Sequence, residues 1–532
     1  MKRIFRKPLF WVLLVSLLPV LSLFHPGMPF VHDGQDHVAR IANFYQSLVE
    51  GHIVPRWAAN LNWGYGHPVL MFLYPLPEYA ASLFHFIGFS LVDSTKLVFG
   101  LAYIASAFTM FLWMNAAFGI QAGVVGTLLY SFAPYRFVDL HVRGALGEHV
   151  AFIFLPLILY FLHKRSFICL SLAFAALILS HNALALMFLP IIVLYGFYLL
   201  IFEEKKKVLF LLRYSLFIIL GFGLSAFFWI PGFFEGKFTL RNIVTAGEMG
   251  ARFVPWTWFM YSPWNWGGGQ EFSKSLGLSQ WIGIISATAL LIRTKEKKIK
   301  TFTAGTLLLL LFSLFIMTSS SNFIWRAVVI LQNFQFPWRF LSVSVFAAAV
   351  LGGIAYGKSK KLLFILYSLF IILITIGMWH PKGYQLRPES YYAGIYPGTT
   401  DTGESSPIWS VRFMEHAPPA PLQVIDGDAG VNIVKRTTTQ HIYSLIVQKP
   451  TLMMENTLYF PGWKIYVNDV PAEIEWQNPD YRGLMTFRVS PGEKQVRAAF
   501  EDTKVRKTAN MISAVSIAAL LCLWLIRKKH YH

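Results

Sequence analysis

Apolar runs separated by short polar connections recur along most of the chain. Runs of about 17 to 25 residues are long enough to cross a bilayer as helices. They predict spans near 8–24, 97–114, 119–134, 149–162, 166–180, 183–202, 208–230, 277–292, 301–317, 340–356, 362–379 and 509–526. The stretch 68–90 is also apolar, but it carries Pro68, Pro75, Pro77, Glu78 and His85. That is poor content for a span, and it reads as a broken helix lying at the membrane surface. Between 381 and 508 the pattern changes to alternation. QHIYSLIVQ, LMMENTLYF, WKIYVNDV and KQVRAAFED read as strands, and Pro461–Gly462, Asn468–Asp469 and Pro491–Gly492 as turns. The expected fold is mainly α and polytopic, with about twelve transmembrane helices and a small extracytoplasmic β domain. Residues 1–380 form the membrane region, 381–508 the β-rich domain, and 509–532 the last span with a cytoplasmic tail.

Composition agrees with that pattern. Hydrophobic residues make up 55% of the 532 residues and charged residues only 14%, with mean hydropathy +0.51. Soluble domains carry about 25% charged residues, so a soluble enzyme and a disordered chain are both excluded. Cys169 and Cys522 lie in apolar runs, which leaves no disulfide framework. The net charge of +19 suggests a nucleic-acid partner until it is located. Six clusters, Lys2 to Lys7, Lys164–Arg165, Lys205 to Arg213 with Glu203 and Glu204 just before it, Arg293 to Lys300, Lys358 to Lys361 and Arg527 to Lys529, supply a net 18 of those charges. They punctuate the spans and mark the cytoplasmic side. Both termini are then cytoplasmic in an inner or plasma membrane. The loops 25–96, 135–148, 231–276 and 318–339 face outward, and residues 68–90 are expected not to cross. The basic run before the first span is read as a retained anchor, since no small-residue cleavage pattern follows it.

The outward segments hold the polar chemistry. Asp33, Asp36 and His37 come just after the first span. Asp33 and His37 are four apart, so a helix starting at Asp33 places both on one face. Asp33 is equally well read as a plain helix cap. Arg136, Asp139, His141, Arg143, Glu148 and His149 crowd the second outer segment, where ionisable groups pair or line a cavity. His181–Asn182 closes a span, as a turn or as part of a site. The 231–276 loop brings Glu235, Arg241, Glu248, Arg252 and SPWNWGGGQEF, whose tryptophans form an interfacial belt or grip a sugar ring. Arg339 follows Pro337–Trp338, where a guanidinium either anchors at headgroups or holds a phosphate in a fork. No GxxxxGK[ST] or GxGxxG loop occurs, so ATP is not indicated.

These pieces resemble the GT-C superfamily of membrane glycosyltransferases. The chain is also similar to bacterial membrane proteins called "6-pyruvoyl-tetrahydropterin synthase-related" and to YfhO-type proteins. The resemblance rests on D-x-x-x-H at 33–37 with EGHIVPRW and GYGHPVLMFLYPLPEY, YSFAPYRFVDLHVRGALGE at 130–148, LSHN at 179–182, LSAFFWIPGFFE at 224–235, QFPWRFL at 335–341 and YFPGWKIYVNDVPAEI at 459–474. It implies an inverting transfer of sugar from a polyprenyl-phosphate carrier to an envelope glycan, lipid or protein acceptor on the outer face. Asp33 is implied as the base, with Asp36 as the alternative and His37 as an orienting group. Arg143 and Arg339 would meet the departing phosphate, with Glu148, His181 and Glu235 as further binding residues. The resemblance admits a divalent metal, Mg or Mn, whose ligands are unknown; Gly34 stands where the family often has a second acid. Two other readings stay open: a flippase for lipid-linked saccharide, and a noncatalytic scaffold binding glycan through its β domain.

Overall fold

The computed structural model describes residues 8–245, 252–267, 271–332 and 334–529. The cluster Lys2 to Lys7, Glu248 and the 268–270 part of SPWNWGGGQEF lie outside the described residues. Eight helices among the described residues are long and apolar enough to cross a membrane: Leu91–Phe118, Leu146–His163, Asn182–Phe202, Lys207–Leu224, Lys297–Ile316, Pro337–Tyr356, Lys361–Met378 and Lys504–Ile526. Three shorter apolar helices, Ile120–Ser131, Phe167–Ser180 and Leu278–Arg293, fall on predicted runs as well. The first run differs from expectation. It is an α-helix only over Pro8–Ser16 and a tighter 3₁₀ coil over Leu18–Phe24, because Pro19 cannot donate to an α-helical ladder. The predicted 208–230 run also breaks, at Ser225, into two helices.

Helix Leu341–Tyr356 is the axis of the bundle, with all but Ala355 of its residues buried. Its small residues let neighbours approach closely: a Cβ at Gly353 would fall 2.6 Å from Met114 Cε. The stretch 68–90 is indeed interrupted, as a 3₁₀ turn over Pro68–Met71 followed by helix Leu76–Phe86. Helix Leu146–His163 runs from Arg143 to Lys164, and Leu341–Tyr356 runs from Arg339 towards Lys358. The basic connections therefore lie at one end of the bundle and the polar segments at the other.

The C-terminal sheet has the strand order 422–436, 440–458, 492–500, 463–467, 470–472, with Leu484–Val489 beside the second half of Gln440–Leu458. Two predicted strands merge into the single strand 440–458, and the Pro491–Gly492 turn is instead a break within an almost continuous partner, 484–500. Pro450 and Pro491 sit at the same gap in the ladder, where neither removes a hydrogen bond. Asn468 and Asp469 do form the turn expected of them, both with positive φ (50° and 62°). The sheet core includes Trp57 and Phe72 from the first loop, with Trp57 meeting Trp463 edge-on at 5.4 Å.

Residues 381–421 do not belong to that sheet. Tyr384–Gln385 pairs with Met28–Pro29, helix Glu389–Ala393 packs on helix Gly34–Val49, and residues 396–406 fold over the first loop. Tyr396 N donates to Asn60 O (2.8 Å) and Asn62 N to Gly398 O (2.8 Å).

Candidate active site

The first and second polar segments are stitched by their backbones. His32 N donates to Val142 O (3.0 Å) and Asp33 N to Arg143 O (2.9 Å). The stitch is close because Gly144 adopts positive φ (66°); a Cβ there would sit 2.5 Å from Val31 Cγ2. Residues 138–143 form a π-helical turn, a form often found at functional sites. These contacts put Asp33 beside Arg143 at the mouth of a cavity of about 660 Å³.

Asp33 occupies the cap position of helix Gly34–Val49, yet its carboxylate makes no capping hydrogen bond. It faces the cavity instead. Its pKa is raised by the surrounding protein, against the pull of Arg143, His32, Arg40 and Arg339. Asp36 and His37 line the same cavity. Asp36 accepts the Tyr396 hydroxyl at 2.8 Å. His37 is buried and held well below its ordinary pKa, chiefly by that burial, so it is neutral. Its Nε2 accepts from Leu146 N at 3.4 Å. His181 also faces the cavity while capping its own helix, accepting from Leu184 N at 3.2 Å and stacking on Tyr74.

Arg143 and Arg339 line the cavity, and one carboxylate holds both. Glu148 takes Arg143 in a two-pronged pair (2.9 and 2.8 Å), accepts from Arg339 Nε at 3.2 Å and accepts the Tyr135 hydroxyl at 2.9 Å. Arg143 also reaches Asp139 at 2.7 Å. The QFPWRFL segment supplies a shelf: Phe336 and Trp338 stack at 5.1 Å with an 8° interplanar angle. Arg143 lies over Trp338 (4.3 Å), and Arg339 and Arg252 both lie over Phe336 (5.1 and 5.4 Å). Arg143 and Arg339 are thus fixed by carboxylate and ring, whereas Arg252 has no carboxylate within 4 Å among the described residues.

Glu235 is a correction. It does not line the cavity. It pairs with Arg506 of the last helix at 2.8 Å and accepts the Thr503 hydroxyl at 2.6 Å. An acid buried against a fully buried guanidinium is spent on anchoring. The tryptophans Trp256, Trp258, Trp264 and Trp266 also lie off the cavity wall, where the aromatic faces are Phe72, Tyr74, Phe272, Phe336 and Trp338.

Several wall residues have no counterpart in the sequence reading. Arg40 donates to Thr400 Oγ1 (3.2 Å) and to the Thr400 carbonyl, and lies 3.7 Å from Glu78. Thr400, Asp401, Thr402 and Glu404 form one side of the cavity. Asp401 accepts from Gly403 N (2.9 Å) and Ser405 N (3.0 Å). The spacing of Asp36 and Arg40, one helical turn apart, was a signal for Arg40; nothing local marked residues 400–404.

Asp36 is engaged by Tyr396 and Asp401 by two backbone N–H groups. Among the described residues no group of three or more His, Cys, Asp or Glu side chains is placed to hold an ion. No step below passes through one.

No protein-family model matches the chain. An "Uncharacterized protein" of Lactococcus lactis subsp. cremoris (strain MG1363) is 27% identical over 236 residues, 41% of this chain and 38% of its own. In structure the chain is similar to the mycobacterial arabinofuranosyltransferase AftD (14% identity, 72% of this chain, 28% of AftD, TM-score 0.49). It is similar to the Archaeoglobus fulgidus oligosaccharyltransferase tethered to an acceptor peptide (14% identity, 74% of this chain, 60% of that one, TM-score 0.45). It is also similar to ArnT of Cupriavidus metallidurans bound to undecaprenyl phosphate (12% identity, 81% and 96%, TM-score 0.31). The chain thus spans less than half of the Lactococcus protein and less than a third of AftD.

Proposed function

We propose that this protein is a membrane glycosyltransferase that moves a sugar from a polyprenyl-phosphate carrier to a hydroxyl of an envelope acceptor. The observation that carries the reading is the joint presence of Asp33, whose carboxylate makes no capping hydrogen bond, with Arg143 and Arg339 around one cavity at the polar end of an apolar bundle. The motif resemblance supports the same chemistry.

In this reading Asp33 accepts the proton of the acceptor hydroxyl as that oxygen bonds to the anomeric carbon. The bond from that carbon to the carrier's phosphate oxygen breaks, and its electron pair leaves with the phosphate. Inversion follows from a single displacement. A raised pKa makes Asp33 a stronger base than a free carboxylate. Developing negative charge on the phosphate meets guanidinium groups already held in place, which lowers the barrier without reorganisation. Glu148 positions Arg143 and Arg339, and Arg252, which has no carboxylate partner among the described residues, is a cation able to follow the leaving group. The positive-inside pattern supports twelve crossings with both termini cytoplasmic and the cavity on the outer face.

The test uses purified protein and a labelled polyprenyl-phosphate sugar. Asp33→Asn is expected to abolish transfer, by at least about a hundredfold, while the carrier still binds. Undiminished transfer by that variant would remove Asp33 as the base and the reading with it.

A further inference from the structure

Far from the active site, a second cavity of about 290 Å³ lies between helices Asn182–Phe202 and Lys297–Ile316. Its back is Trp113 stacked on Phe346 (5.4 Å), and Tyr198 meets Phe302 across it at 5.0 Å. The Tyr195 hydroxyl is engaged with His163 Nδ1 at 3.0 Å. A space with so few polar partners does not hold water well. Gly305 opens onto it: a Cβ built there meets no atom within 4 Å.

The charge around its mouth is predominantly basic, with Glu296 before the lysines paired to Lys358 at 3.9 Å. Thr301 lines the cavity, and Lys297, Lys298 and Lys300 stand within the turn before it, all exposed. On the facing helix Phe202 lines the cavity and is followed by Glu203 and Glu204, which share the single guanidinium of Arg165 and so offset only part of the charge of the three lysines. An apolar slot ending where basic side chains outnumber acids matches a molecule with an apolar chain and an anionic head.

We infer that this cavity is a binding site for an anionic phospholipid, one acyl chain lying in the slot over Gly305 and the headgroup phosphate meeting Lys297, Lys298 and Lys300. The site is at the basic end of the bundle, opposite the active site, and the inference is independent of the transferase reading.

The experiment is native mass spectrometry of the full chain after exchange into nanodiscs of equal dioleoyl phosphatidylglycerol and dioleoyl phosphatidylcholine. Wild type is expected to retain phosphatidylglycerol selectively. Gly305→Leu, which fills the slot with a better helix former, is expected to lose it, while Gly305→Ala keeps it. Lys297→Gln with Lys298→Gln and Lys300→Gln is expected to weaken retention about a hundredfold, roughly fivefold per lysine. These lysines are exposed, so the triple variant tests the site without burdening the fold. Equal retention of the two lipids by wild type, or unchanged retention in Gly305→Leu, overturns the inference. Retention of a polyprenyl phosphate that Gly305→Leu displaces also overturns it, by giving the slot to the carrier's tail.

Discussion

Glu148→Gln keeps the size of the side chain and removes its charge. In the native protein this carboxylate receives two hydrogen bonds from Arg143, one from Arg339 and one from Tyr135, and its side chain is 1% exposed. Removing one partner of a buried ion pair costs about 3–5 kcal/mol, because the other charge is left in a poor solvent. Asp139 still reaches Arg143 at 2.7 Å, so the cost should fall near 3 kcal/mol, the lower end of that range. Arg143→Met alone leaves Asp139 without its guanidinium and Glu148 with Arg339 as its cation, and should cost a similar amount. The double variant removes both sides, so its cost should be smaller than the sum of the singles by about 2 kcal/mol or more. The assay is reversible unfolding in mixed micelles titrated with SDS, run on all four proteins. Additivity within about 0.5 kcal/mol would show that the two groups do not interact, and the picture of a carboxylate fixing the cations would go.

Glu78 is buried with neither oxygen hydrogen-bonded, and burial raises its pKa from 4.5 to about 7 despite Arg40. Its protonated form is favoured in the fold, so its contribution is present below pH 4.5 and lost as pH rises through 7. Going from pH 4 to pH 8, the stability of Glu78→Gln relative to wild type should rise by about 3 kcal/mol; a pH-independent difference counts against the assignment. Glu235→Gln should loosen the start of helix Lys504–Lys529 by about 3 kcal/mol, seen as faster amide hydrogen exchange around residues 504–510. Unchanged exchange there would show that the Arg506 pair is not what anchors the last helix.

The membrane architecture was legible because apolar length is a local property. Each of the twelve predicted runs falls on helical structure, and errors appear where proline or serine interrupts a run, at Pro19 and Ser225. In the sheet, Pro491–Gly492 read as a turn because the gap in the ladder that it shares with Pro450 is a tertiary fact. Asp33, Asp36, His37, Arg143, His181 and Arg339 were nameable from short motifs next to apolar runs, and all six line one cavity. Glu235 stood in an equally polar setting but is neutralised by Arg506, 271 residues further on. Thr400, Asp401 and Glu404 lie in a coil without periodicity, and only its docking on the first loop brings them to the wall.

The bond from Tyr396 to Asp36 spans 360 positions of chain. Synthesis proceeds from the amino end, so the ribosome releases the acid and its helix long before the coil that encloses them. Until residue 405 or so has emerged, the nascent bundle has a half-open vestibule in which Arg40 lacks Thr400 and Asp36 lacks its phenol. Completion of the site is thereby tied to near-completion of the polypeptide, and a prematurely terminated product could insert its helices without acquiring a finished chamber.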